Sequence, residues 1–214
     1  MKSNFWHNRN IVLLFPVFGM ILFVLLYILA ALAYPGGSYT NPNHDAFSFW
    51  NNYLCDLLDT YTVSGVLNSG RIFARLALLV LCLSLILLWY HLPKLFSSKN
   101  KYHRIMQISG IISLGITLLL SDGNHDLIVR IAGVFGVIAL LATFVELFKA
   151  KFYFLFSLGI FCLIIFFINY YIYETGVYIG ILPIIQKVTF AGFICWFLLL
   201  NILLYRKQNT VFEL

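Results

Sequence analysis

The sequence predicts an all-α integral membrane protein, a bundle of six transmembrane helices, and three observations carry that prediction. The composition is 62% hydrophobic and 10% charged, where a soluble domain carries about 25% charged residues. Six mostly apolar runs recur along the 214 residues, each near the ~20 residues that cross a ~30 Å hydrocarbon layer as a helix. The basic residues then cluster in alternate connections, as the positive-inside rule requires of such a bundle.

The spans are expected at about 11–34, 70–92, 104–121, 127–148, 152–174 and 182–204. Pro183 is a plausible first-turn proline of the last. The runs stay apolar instead of alternating, which argues against transmembrane strands. No polar stretch is long enough to build a separate soluble domain, so 1–214 reads as one six-span unit. Residues 31–33 read ALA, resembling a signal-peptidase site. The preceding apolar run exceeds the ~7–15 residues of a signal core, so span 1 is expected to be retained.

Ten of the 14 basic residues fall on one side of a six-span chain: Lys2, Arg9, Lys94, Lys99, Lys101, Arg104, Lys149, Lys151, Arg206 and Lys207. That side is assigned to the cytoplasm, with both termini on it, and the expected location is the plasma (inner) membrane. Six of the eight acids, Asp45, Asp56, Asp59, Asp122, Asp126 and Glu174, fall on the other side. The net charge of +6 is therefore the topology signal. The basic loops are too short for a nucleic-acid face, and membrane lipids are the expected partners. The four cysteines are single and widely spaced, with no CxxC or Cys/His metal pattern, and read as small apolar filler. No cofactor is expected.

The connection 35–69 is the one long loop, and long loops are often functional. It opens with PGGSYTNPNHD, which is turn chemistry. AFSFWNNYLCDLLD at 46–59 follows. Its polar residues recur at three and four among aromatic and leucine positions. This predicts a short interfacial helix on the outer side, with Trp50 and Tyr53 at headgroup depth.

The remaining basic residues, Arg71, Arg75, Arg130 and Lys187, lie near the outer ends of their spans. Asp122, Asp126 and Arg130 follow at spacings of four from the polar stretch SDGNHDLIVR, and Asn169 and Glu174 end span 5. Isolated charges at that depth cost kcal/mol each, so they must snorkel, pair or line a wet cavity. Three functions fit such an outer layer. It can bind a lipid headgroup or small anion through Arg71, Arg75, Arg130 and Lys187, with Asp56, Asp59, Asn169 and Glu174 around them. It can be a membrane hydrolase or lipid-remodelling site with His125 as base, oriented by Asp122 or Asp126. Or its ion pairs only lock the helix ends. A metal reading has His44 and His125 as its weak candidates, since no HExxH, HxxxH or HxH spacing occurs. A carrier is disfavoured by the absence of an internal repeat and of mid-span charges.

The polar stretch NNYLCD at 51–56, followed by Asn68 and RIFA at 71–74, resembles the DRAM/Frag-type group of six-span membrane proteins and its bacterial relatives. Cys55-Asp56-Leu57-Leu58 stands where that group shows S-D-x-G, and Asn68 with Phe73 matches its downstream N-x-x-x-x-F. The serine and glycine are replaced, so the resemblance is partial, covering this junction and the topology. Some members of the wider group are linked to lipid-anchor remodelling, which implies a lipid substrate or ligand. Alkaline-ceramidase-like hydrolases need a paired HxxxH late in the chain, and spans 5 and 6 hold no histidine.

Overall fold

The structure is a computed structural model that describes residues 11–97, 100–121 and 125–210. Six helices dominate it: α1 (Phe15–Leu32), α2 (Arg71–His91), α3 (Lys101–Thr117), α4 (His125–Lys149), α5 (Tyr153–Thr175) and α6 (Leu182–Thr210). With flanking 3₁₀ turns they form six segments long and apolar enough to cross a membrane: Val12–Leu32, Arg71–Leu95, Lys101–Leu120, His125–Lys149, Tyr153–Thr175 and Ile179–Asn209. Each overlies one of the expected spans. Among the described residues there is no strand, only two isolated bridges. This is the make-up of a multi-pass membrane protein. Phe18, Phe154 and Phe161 stay exposed along the spans, as a surface facing hydrocarbon requires.

The chain packs as two compact units. One, here the basic unit, comprises Met1–Ile21, Leu79–Gly159 and Cys195–Leu214. Its core holds Leu88, Leu92, Met106, Leu147, Trp196 and Leu200, all fully buried. The Trp196 indole N–H donates to the Leu155 carbonyl at 2.8 Å, the polar partner a buried tryptophan needs. Gly110 lies flat against the Trp89 ring, where a Cβ would clash.

The other, the loop unit, comprises Leu22–Leu78 and Ile160–Ile194. It contains the connection 33–70, which folds as a cap of two tight turns. Gly36 bridges Asp45, and Tyr61 bridges Leu67. The Gly37 N–H donates to the His44 carbonyl at 2.7 Å, and the Thr62 N–H to Val66 at 2.8 Å. Gly36 and Gly37 adopt φ of 131° and 86°, a region open to glycine at little cost.

The interfacial helix expected over 46–59 is absent. That stretch holds one 3₁₀ turn, Cys55–Leu57, between irregular segments. Its own polar side chains take over the backbone donors. Asn52 Oδ1 accepts the Ser48 N–H at 2.9 Å, and Asp56 Oδ2 accepts the Tyr53 N–H at 2.9 Å. Asx side chains that capture nearby amides compete with helix, and the polar periodicity of three and four reflects that capture.

Candidate functional site

The cap is built from two buried asparagines. Asn52 and Asn68 are both fully buried, which demands that each amide be satisfied. Asn52 Nδ2 donates to the Gly37 carbonyl at 2.7 Å and to Asp56 Oδ2 at 2.9 Å. Asn68 Nδ2 reaches the carbonyls of Asp56 (3.3 Å), Leu57 (3.1 Å) and Asp59 (3.0 Å), while its Oδ1 accepts the Gly70 N–H at 2.9 Å. Asn68 thereby closes the loop onto the first turn of α2. Asp56 and Asn68 are thus two hubs of the cap.

The cations at this end are engaged with the same loop. Lys187 is 8% exposed, and its ammonium is engaged. It donates to the Asn52 carbonyl at 2.5 Å and to the Pro183 carbonyl at 2.9 Å. It also faces the Phe47 and Phe49 rings at 5.7 and 5.2 Å from their centroids, a desolvated cation–π arrangement. One turn of α6 supplies a second tie, because Gln186 Oε1 accepts the Leu54 N–H at 2.7 Å. Arg75 donates to the Leu58 carbonyl at 3.0 Å and to Thr60 Oγ1 at 3.1 Å. Arg71 donates to the Asn68 carbonyl at 2.7 Å.

Burial also shapes the titration of the cap. It pushes the Asp56 carboxyl above the ordinary carboxylate value, and the bonds from Asn52 and Tyr53 pull it partly back. Burial, then the Asp56 charge, raises the Tyr34 hydroxyl to about 12. The same two causes lift the Cys55 thiol to about 12, so Cys55 is no thiolate nucleophile near neutral pH.

Of the residues singled out in the sequence, the structure brings Asp56, Arg71, Arg75 and Lys187 to this cap. Asn169, also in the loop unit, donates to Thr189 Oγ1 at 3.4 Å. Asp59 and Glu174 are exposed. His44 Nδ1 lies 3.2 Å from the Ala46 carbonyl of its own turn. His125, Asp126 and Arg130 belong to the basic unit, where His125 Nδ1 sits 3.3 Å from Asp126 Oδ1. Asp122 lies outside the described residues. Among the described residues no group of three or more His, Cys, Asp or Glu is arranged to hold a metal ion.

The sequence places Glu146 near an inner span end, where it is expected to meet Lys or Arg, and Lys149 is that partner. The histidine and asparagine that complete this second polar cluster, in the basic unit, were not foreseen. The Glu146 carboxylate is 3% exposed, with His103 Nε2 and Lys149 Nζ each 3.0 Å away. Asn100 Nδ2 donates to it at 3.0 Å, and Asn100 also caps α3 through the Tyr102 and His103 amides. No short motif links positions 43 and 46 residues apart. The available signal was Glu146 itself, an acid one turn inside a span, which must be paired.

No family of known proteins, no curated protein and no solved structure matches the chain significantly.

Proposed function

We propose that the protein is a non-catalytic multi-pass membrane scaffold that holds a rigid cap, residues 33–70, outside the cell, with both termini in the cytoplasm. Tyr39, Trp50 and Tyr61 are exposed aromatic residues of the cap, suited to the headgroup layer. The observation that carries this reading is Lys187. Its ammonium is buried and engaged with two backbone carbonyls, so it is a clamp on the loop. Arg71 and Arg75 are engaged in the same way. The partial resemblance to DRAM/Frag-type proteins fits this account, since its Asp and Asn positions are the cap's own hubs.

The runner-up is a headgroup or anion pocket through Arg75 and Lys187. An enzyme based on His125 is the third reading. Substitution separates them. Lys187→Met in detergent should lower the unfolding temperature and open the loop to protease, with co-purified phospholipid unchanged. Loss of bound phospholipid at unaltered unfolding temperature would instead establish the pocket. His125→Gln should leave stability and bound lipid as they are.

A further inference from the structure

We propose that the basic unit carries an anionic phospholipid site, a groove where the start of α5 meets the end of α6. The groove encloses about 400 Å³, within the size of small-ligand clefts. Its walls are apolar, with Phe154, Leu199, Ile202 and Leu203 among them, and its two cations are Lys151 and Arg206. Phe154, Leu199 and Ile202 are exposed on helices apolar enough to span a membrane, so an acyl chain is the natural cover for the walls. Among the described residues that line the groove there is no acid. Charge complementarity therefore selects a lipid with a negatively charged phosphodiester headgroup over a zwitterionic one. Arg offers a planar fork to the phosphate oxygens and Lys a point charge.

The backbone supplies an independent reason to single out Lys151. It stands just past the C-terminus of α4 with φ 62°, and its N–H donates to the Phe148 carbonyl at 3.0 Å. Helices commonly end on a residue in this left-handed conformation, and glycine is the usual occupant because a Cβ is strained there. A lysine at that position retains a strained backbone in exchange for a cation at the groove.

This makes a test in which stability and binding move in opposite directions. The full chain is purified in mild detergent and offered dioleoyl phosphatidylglycerol or dioleoyl phosphatidylcholine. Native mass spectrometry counts the retained lipid, and a thermal scan gives the lipid-induced shift. Wild type should retain the anionic phosphatidylglycerol preferentially. Lys151→Gly should keep or raise the lipid-free unfolding temperature while reducing phosphatidylglycerol retention about fivefold, the factor one cation contributes near an anionic lipid surface. Arg206→Gln should reduce retention similarly. Lys101→Gln, a cation of the same unit outside the groove, should not. Equal retention of the two lipids, wild-type retention in Lys151→Gly, or a second copy of the chain held in place of lipid overturns the proposal. Because Lys151→Gly leaves the cap untouched, its failure is distinguishable from a failure of the scaffold reading.

Discussion

Two lysines near helix ends show how differently the two units handle charge. Lys149, in the last turn of α4, keeps its side chain 53% exposed and pairs with the buried Glu146 carboxylate at 3.0 Å. Its ammonium also lies 4.6 Å from the Tyr102 ring centroid. Lys187, in the second turn of α6, is buried and binds two backbone carbonyls of neutral residues. The basic unit balances an acid with bases and an amide. The loop unit stabilises its cations mainly with backbone carbonyls, those of the irregular chain and, for Lys187, also that of Pro183 in the first turn of α6. A loop has orphan carbonyls that no ladder or helix takes up, so a cation buried beside it satisfies them and itself at once. The comparison teaches that a basic residue at an expected ligand depth can be a backbone clamp.

Breaking the clamps should therefore hurt the loop unit more than unpairing hurts the basic unit. The largest expected effect is Asn68→Ala, which leaves a buried N–H and carbonyls without their partner. It should lower unfolding stability in detergent by about 3 kcal/mol. Lys187→Met should follow at about 2 kcal/mol, and Lys149→Met should stay below about 1 kcal/mol, since an exposed cation contributes little. Chemical unfolding of the two lysine variants side by side checks the ratio, and equal losses would remove the distinction between the units.

A smaller effect, of opposite sign, is expected at Asn201. Both of its amide atoms are buried with no hydrogen-bond partner among the described residues, in contrast to Asn52 and Asn68. Asn201→Leu should raise stability by about 1 kcal/mol; a drop would show that the amide has a partner in the membrane. The smallest effect is a pH dependence. Because burial raises the Asp56 carboxyl in the folded protein above its ordinary 3.8, the folded state binds the proton more tightly than the unfolded one. Its stability contribution is present at low pH and lost as pH rises through the folded value. The uncharged Asp56→Asn retains an acceptor for Asn52 and Tyr53. Wild type should therefore gain stability relative to that variant as pH falls through the folded value toward 3.8, read from paired thermal scans.

The spans were legible because lipid imposes one rule on a long stretch of sequence, so hydropathy and run length find each helix to within a few residues. PGGSYTNPNHD was legible as turns because Gly36 and Gly37 supply positive φ. The stretch 46–59 misled because its polar residues at three and four bind the loop's own amides and carbonyls, and periodicity cannot distinguish that from a solvated helix face. The roles of Lys187 and Arg75 depend on carbonyls 135 and 17 residues away, which no local pattern encodes. Lys151 was visible as a topology signal, but its left-handed backbone and the groove beside it are tertiary facts.

The most direct test of the clamp account is hydrogen exchange of the backbone amides across residues 37–68 in wild type, Lys187→Met and Lys151→Gly, in the same detergent. The account predicts faster exchange throughout that segment in Lys187→Met and unchanged exchange in Lys151→Gly. Wild-type protection of the segment in Lys187→Met, together with loss of bound anionic lipid, would contradict it and make Lys187 a ligand-binding residue.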